Sequence, residues 1–77
     1  MELEIISPEG SVYQGTADLV SLPGVGGRFD ILPQHAPLIA VLQKGSIIYI
    51  VKGNKQTKEI NGGFAEIKDN HLSICIE

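Results

Sequence analysis

The amino-acid sequence predicts an all-β fold, a small antiparallel sandwich of short strands. Three observations carry that prediction. Nearly every segment alternates apolar with polar residues or runs short and β-branched, as strands with a buried face do. Turn chemistry interrupts the chain about every 8 to 12 residues, the spacing of sandwich and barrel strands. No stretch reads as a helix.

The elements follow in order. Leu3 and Ile5 alternate with Glu2 and Glu4, so a first strand has one apolar and one charged face. In Ser7-Pro8-Glu9-Gly10 the proline is second and the glycine fourth, where a type I turn prefers them. "SVYQ" is a short second strand. In "TADLVSLPG", Ala17, Leu19 and Ser21 face one way and Asp18, Val20 and Leu22 the other, and the strand is expected to end where Pro23 lacks an amide donor. A glycine-rich stretch follows, from which Arg28 to Leu32 reads as a strand. "LIAVLQ", a turn at Gly45 and "SIIYIV" come next. In the last of these Ile47, Tyr49 and Val51 point one way and Ile48 and Ile50 the other, so both faces need cover, one from the core and one from a second strand layer or a partner protein. Gly53 and Asn54 close a hairpin, because both tolerate positive φ. "QTKEI", "GFAEIK" and "HLSICIE" complete a meander, with a bend or bulge at Asn61-Gly62-Gly63 and a tight turn at Asp69-Asn70. The count is about nine strands.

Composition bounds the rest. A chain of 77 residues is one domain, residues 1–77, of a size that buries only roughly 60% of its unfolded surface. No apolar run approaches the ~18 residues of a membrane helix, and "MELEII" lacks the basic start of a signal peptide, so the expectation is a chain that begins as translated and stays in the cytoplasm. Cys75 is the single cysteine; it can form no internal disulfide, which suits a reducing compartment. On the last alternating strand it reads as a small buried residue. Six basic against nine acidic residues give a net charge of −3. Nucleic acid is therefore an improbable partner, since such surfaces cluster Lys and Arg against phosphates.

The stretch Gly26 to Pro37, "GGRFDILPQHAP", concentrates the candidate chemistry. Gly24, Gly26 and Gly27 could present amides to a phosphate, but a phosphate loop needs Gly-Lys-Ser/Thr or a third glycine opening a helix, and here a strand follows. Tight corners between strands account for the glycines. His35 and His71 lack the further His or Cys ligands zinc requires, and no nucleophile elbow or triad spacing is present. His35 is expected to hydrogen-bond its own loop, and His71 to be solvated. Glu9, Asp18, Asp30, Glu59, Glu66 and Asp69 are scattered rather than paired. What remains is shape: Pro33 and Pro37 fix φ and bias Leu32 and Ala36 toward extended conformations. A stiff loop loses little entropy on docking, so the stretch reads as a recognition surface.

"ISPEGSVYQG", "LVSLPGVGGRFDILPQHAPL", Gly45, "INGGFAEI" and the final "HLSICIE" together resemble, in order and spacing, the N-terminal β-sandwich domain of the epsilon subunit of F-type ATP synthase. That pattern usually reads Leu-Pro-Gly, then Gly-Glu-Phe-Gly-Ile-Leu-Pro-Gly-His-Ala-Pro, and later Ser-Gly-Gly-Phe. The resemblance covers nearly the whole chain. It implies a ten-stranded sandwich without catalytic residues, cofactor or metal, acting in the central stalk. Its implied partners are the gamma subunit and the c-ring, within an F1 complex of alpha, beta, gamma, delta and epsilon. The implied role is to couple proton- or sodium-driven rotation to ATP synthesis. It also implies a peripheral position on the cytoplasmic face of a bacterial inner membrane, with no insertion into the bilayer.

Carried over by position, Gly26, Gly27, Arg28, Phe29 and Asp30, with His35 nearby, would meet the c-ring, and an apolar face including Leu38, Ile39 and Leu42 would meet gamma. Asn61, Gly62, Gly63 and Phe64 match the second glycine motif, read as a bend that packs Phe64. Three departures stand out. Arg28 replaces the usual Glu and Asp30 the frequent Gly, which implies a ring loop with a compensating acidic residue. Gln34 replaces a Gly and is expected to manage without positive φ. The family continues into a C-terminal helical hairpin that can inhibit hydrolysis, whereas these residues stop at Glu77; the expectation is a subunit that couples without that arm. A different class remains as the alternative, a small ligand- or carbohydrate-binding sandwich, which would show an apolar cleft with convergent polar groups.

Overall fold

Tight turns divide the chain into nine strands in a computed structural model that describes residues 1–77. They are β1 (Glu2–Ser7), β2 (Gly10–Thr16), β3 (Leu19–Gly24), β4 (Gly27–Ile31), β5 (Leu38–Leu42), β6 (Gly45–Val51), β7 (Asn54–Ile60), β8 (Gly63–Lys68) and β9 (His71–Ile76). The all-β fold class is as the alternation predicts. Ten strands were implied by the resemblance; nine form, and Leu32–Pro37, with its two prolines, makes a turn and a connection.

The turns show how residue type sets pairing. Pro8 and Glu9 join β1 to β2, with Ser7 Oγ accepting the Glu9 N–H at 3.3 Å. Lys52 and Gly53 join β6 to β7 at φ 51° and 80°, so the hairpin turns one residue earlier than Gly53-Asn54. Asp18 compensates by accepting the Lys52 N–H on Oδ2 at 3.1 Å. Asp69 and Asn70, at φ 51° and 61°, join β8 to β9. Both β6–β7 and β8–β9 turns thus have the doubly positive φ that matches strand twist. Strand β3 continues through Pro23 to Gly24 instead of ending there; Pro23 lacks an N–H, but its carbonyl accepts the Gln43 N–H at 2.8 Å.

Strand order is β2-β1-β9-β8-β5-β3-β6-β7, with β4 also on β3. β5 meets β3 only at Leu42 and Gly24, and there the sheet folds over into two layers, β2-β1-β9-β8-β5 and β4-β3-β6-β7. One pair departs from the antiparallel expectation: β9 returns between β1 and β8 and runs parallel to β1, with Leu3 opposite Leu72 and Ile5 opposite Ile74. The inner faces close on each other. Leu3, Ile5, Ile67, Leu72 and Ile74 come from one layer and Val20, Leu22, Ile31 and Ile47 from the other, all at most 1% exposed. Each such side chain contributes about 1.5–3 kcal/mol by leaving water. At the open side between β2 and β6, the Tyr13 and Tyr49 rings meet at 4.9 Å and 44°.

Two side chains fall on the face opposite to the one expected. Leu72, Ile74 and Ile76 take the core side of β9, so Cys75 lies half-buried on the outside. Phe64 does not pack inward: Gly63 and Ala65 occupy the inner side of β8 and leave the ring 53% exposed.

Candidate functional site

Alternation along β5 and β8 places one set of apolar side chains outside the sandwich. Val41 lies opposite Phe64, Phe64 opposite Cys75, and Cys75 opposite Ile6. Val25 joins the row by donating its N–H to the Val41 carbonyl at 3.0 Å. Val25, Val41 and Phe64 are 62%, 63% and 53% exposed, and Ile39, one pleat along, is 70% exposed. At about 4.8 Å between strands, the row from Val25 to Ile6 runs about 19 Å across the sheet. Contiguous apolar surface of this kind marks protein-contact sites.

The sequence-derived residues distribute around this row. Ile39 belongs to its face. Leu38 has the opposite parity, at the sheet margin, and is 37% exposed; Leu42 is 3% exposed and sits in the core. The segment "LIAVL" is apolar at both parities, so no period separates inner from outer positions, and Val41 was missed for the same reason. Gly26 and Gly27 lie at the β3–β4 hairpin beside Val25, while His35 follows the far end of β4. The five residues of β4 hold those two ends about 14 Å apart, so one contact point does not include both.

Arg28 is not a free loop cation. As the second residue of β4, paired with Pro23, it folds across the outer face of its layer. Its Nη1 donates to Ser21 Oγ at 2.9 Å and its Nη2 to the Ser46 carbonyl. The Ser46 hydroxyl in turn donates to Glu59 Oε2. A cation on β4 is thus joined through β6 to a carboxylate on β7. Asp30 pairs with Ser21 and is exposed on the same face, and Phe29 is half-buried against the core.

The Leu32–His35 segment is a type II turn, closed by the His35 N–H to the Leu32 carbonyl at 3.1 Å. Pro33 is suited to its second position, and the third requires positive φ. Gln34 adopts φ 67° there, contrary to the expectation that a residue other than glycine would avoid it. Asn70 Oδ1 holds the turn by accepting the Gln34 N–H at 2.8 Å. The His35 ring donates from Nδ1 to the Ala36 carbonyl at 2.7 Å, so its proton serves the loop itself, as the sequence predicts. His71 is exposed, with Nδ1 on the Asp69 carbonyl at 2.9 Å.

No group of three or more His, Cys, Asp or Glu side chains is placed to hold a metal ion. The three surface hollows, of about 240, 320 and 270 Å³, are open depressions. The one with the largest apolar share lies at Tyr13, Tyr49 and Val51. There burial, and secondarily the neighbouring Tyr13, pushes the Tyr49 phenol above its ordinary value. No helix is long and apolar enough to cross a membrane.

Comparison with known proteins gives this arrangement a family. A chain of the Tetrahymena thermophila mitochondrial ATP synthase central stalk and c-ring structure superposes with a TM-score of 0.85 at 17% identity, covering 99% of this chain and 62% of that one. A chain of the Euglena gracilis mitochondrial ATP synthase does so with 0.90 at 21% identity, covering 96% and 48%. These likenesses show the fold. In sequence, the ATP synthase epsilon chain of Leptospira interrogans is 48% identical over 78 positions, covering all of this chain and 61% of that protein. That of Desulfitobacterium hafniense is 44% identical over 75, covering 97% and 57%. The chain therefore spans about three fifths of the length of these relatives. The family model described as "ATP synthase, Delta/Epsilon chain, beta-sandwich domain" matches residues 1–77, and the chain belongs to that family.

Proposed function

We propose that this domain is a non-catalytic element of the ATP synthase central stalk, docked on gamma through the Val25–Val41–Phe64 face and meeting the c-ring at its hairpin end. In this role it passes ion-driven rotation toward the catalytic head, from a peripheral position on the membrane-bound complex. The observation that carries the proposal is the exposed apolar row built on a rigid two-layer scaffold. Family membership supplies the complex in which such a face has a use. A rotor element works by resisting torque, and a sheet with a filled core deforms little. Apolar contact supplies binding energy, while the polar rim fixes orientation.

The ring contact falls to the β3–β4 hairpin, Gly26 and Gly27, with Arg28 and Asp30 on the adjoining strand. Since Arg28 is already bonded to Ser21 and the Ser46 carbonyl, it shapes that end of the domain and lends it positive charge.

A pull-down with purified gamma tests the proposal. The chain should be retained, and Val41→Asp with Phe64→Ser should abolish retention while the circular dichroism of a folded sheet persists. Equal retention of the double variant would remove the apolar row from the contact. Failure of the parent chain to bind would remove the stalk reading altogether.

A further inference from the structure

Asn61 and Gly62 connect β7 to β8. Asn61 is exposed. Gly62 accepts the Glu77 N–H on its carbonyl at 3.1 Å, yet its own N–H donates to no acceptor in the chain. Having no side chain, Gly62 offers nothing to hinder the approach of its nitrogen to the Asn61 side-chain carbonyl. The other two asparagines differ. Asn70 is held through Oδ1 by the Gln34 N–H at 2.8 Å and precedes a histidine. Asn54 opens β7, pairs with Val51 and precedes a lysine.

We propose that Asn61–Gly62 is a self-modification site at which the folded protein deamidates. The deprotonated Gly62 nitrogen attacks Cγ of Asn61. The bond from Cγ to the side-chain nitrogen breaks, and that nitrogen leaves as ammonia, closing a five-membered succinimide. Water then opens the ring at one of its two carbonyls. Cleavage at Cγ gives aspartate, and cleavage at the main-chain carbonyl gives isoaspartate. Water is the sole co-reactant, and no electrons change hands.

The place of this reaction in the fold decides its effect. The Glu77 carboxylate lies 3.6 Å from where a Cβ on Gly62, the residue after the new charge, would stand. Isoaspartate at position 61 also adds a backbone atom between its own Cα and the Gly62 nitrogen, one residue before Gly63. That residue pairs with both Leu42 and Ile76, and a Cβ built on it would fall 2.1 Å from the Cys75 carbonyl oxygen. There is no slack to absorb an extra atom, so β8 loses its register where it turns toward Phe64.

Ageing the folded chain at mildly alkaline pH, followed by peptide mapping with mass spectrometry, tests this. The peptide containing Asn61 should gain the mass difference between an acid and an amide well before those containing Asn54 or Asn70, and Asn61→Gln should abolish the change. Loss at Asn61 no faster than at the other two asparagines overturns the proposal. The separated isoaspartate form should melt below the parent, and Asn61→Asp, which adds charge alone, should melt close to it. An isoaspartate form as stable as the parent overturns the predicted loss of register.

Discussion

The Asn70 side chain accepts the backbone N–H of Gln34 at 2.8 Å, tying the β8–β9 turn to the turn that follows β4. The bond crosses between the two layers, and it fixes the only non-glycine residue of the Leu32–His35 turn that sits at positive φ.

Replacing Asn70 by alanine removes this acceptor and also an asparagine suited to φ 61°. The expected loss is about 1–2 kcal/mol, seen as a fall in the urea midpoint. Gln34→Gly keeps the backbone donor and relieves a left-handed conformation that costs roughly 1 kcal/mol. Its midpoint should equal or exceed that of the parent. A clear decrease would mean that the Gln34 side chain, and not its backbone, holds the loop.

Gly63 is expected to be the least replaceable residue. Its φ is 150°, and a Cβ there would overlap the Cys75 carbonyl oxygen at 2.1 Å. Gly63→Ala should cost more than about 3 kcal/mol, in the range reserved for overpacking and backbone strain. Gly26→Ala is the control, because nothing lies within 4 Å of the Cβ it would add. Thermal melting of the two variants separates them, since each kcal/mol moves the midpoint by about 4–8 °C in a domain this size.

Tyr49 predicts an alkaline limit. Its phenol is raised above the ordinary value of 10.0, first by burial and then by Tyr13. Below that value both folded and unfolded chains hold the proton, so the group adds no pH dependence. Above it the unfolded chain ionises first and binds fewer protons, so stability falls as pH rises. Tyr49→Phe should flatten this fall in melts taken between neutral and strongly alkaline pH. An unchanged slope would assign the effect elsewhere.

Arg28→Glu tests the β4–β6–β7 connection. The guanidinium bonds to Ser21 and Ser46 disappear, and a carboxylate is brought toward Glu59, to which Ser46 is bonded. A loss of about 1–2 kcal/mol is expected, with Arg28→Met losing less because it adds no repulsion. Equal stability of both variants and the parent would show the arginine to be free for other contacts.

Local pattern made much of this structure legible. Glu2 to Ile5, the Ser7–Gly10 turn and the Asp69-Asn70 turn need only neighbours to explain them, and they form as read. The less legible features depend on distant residues. Nothing near Gln34 announces that Asn70 will stabilise its left-handed backbone. In β9 the alternation was plain, but Ile74 and Ile76 outcompete Cys75 for the core because they bury more apolar area. "LIAVL" has no alternation, so the choice of Leu42 over Val41 for the interior awaited the β5–β8 pairing. The outward Phe64 follows from the same pairing, with Gly63 taking the inner side that a ring could not fit.

The parallel pairing of β1 with β9 sets the order of events during synthesis. The β1–β2 hairpin is made first, but its other neighbour is the last of the nine strands in chain order. Until His71–Ile76 emerges, Leu3 and Ile5 have no Leu72 and Ile74 beside them, and the edges of β1 and β8 stay open to pairing with other chains. The sandwich can therefore close only once β9 has been made, and the nascent chain is most exposed to misassembly in the interval just before that strand arrives.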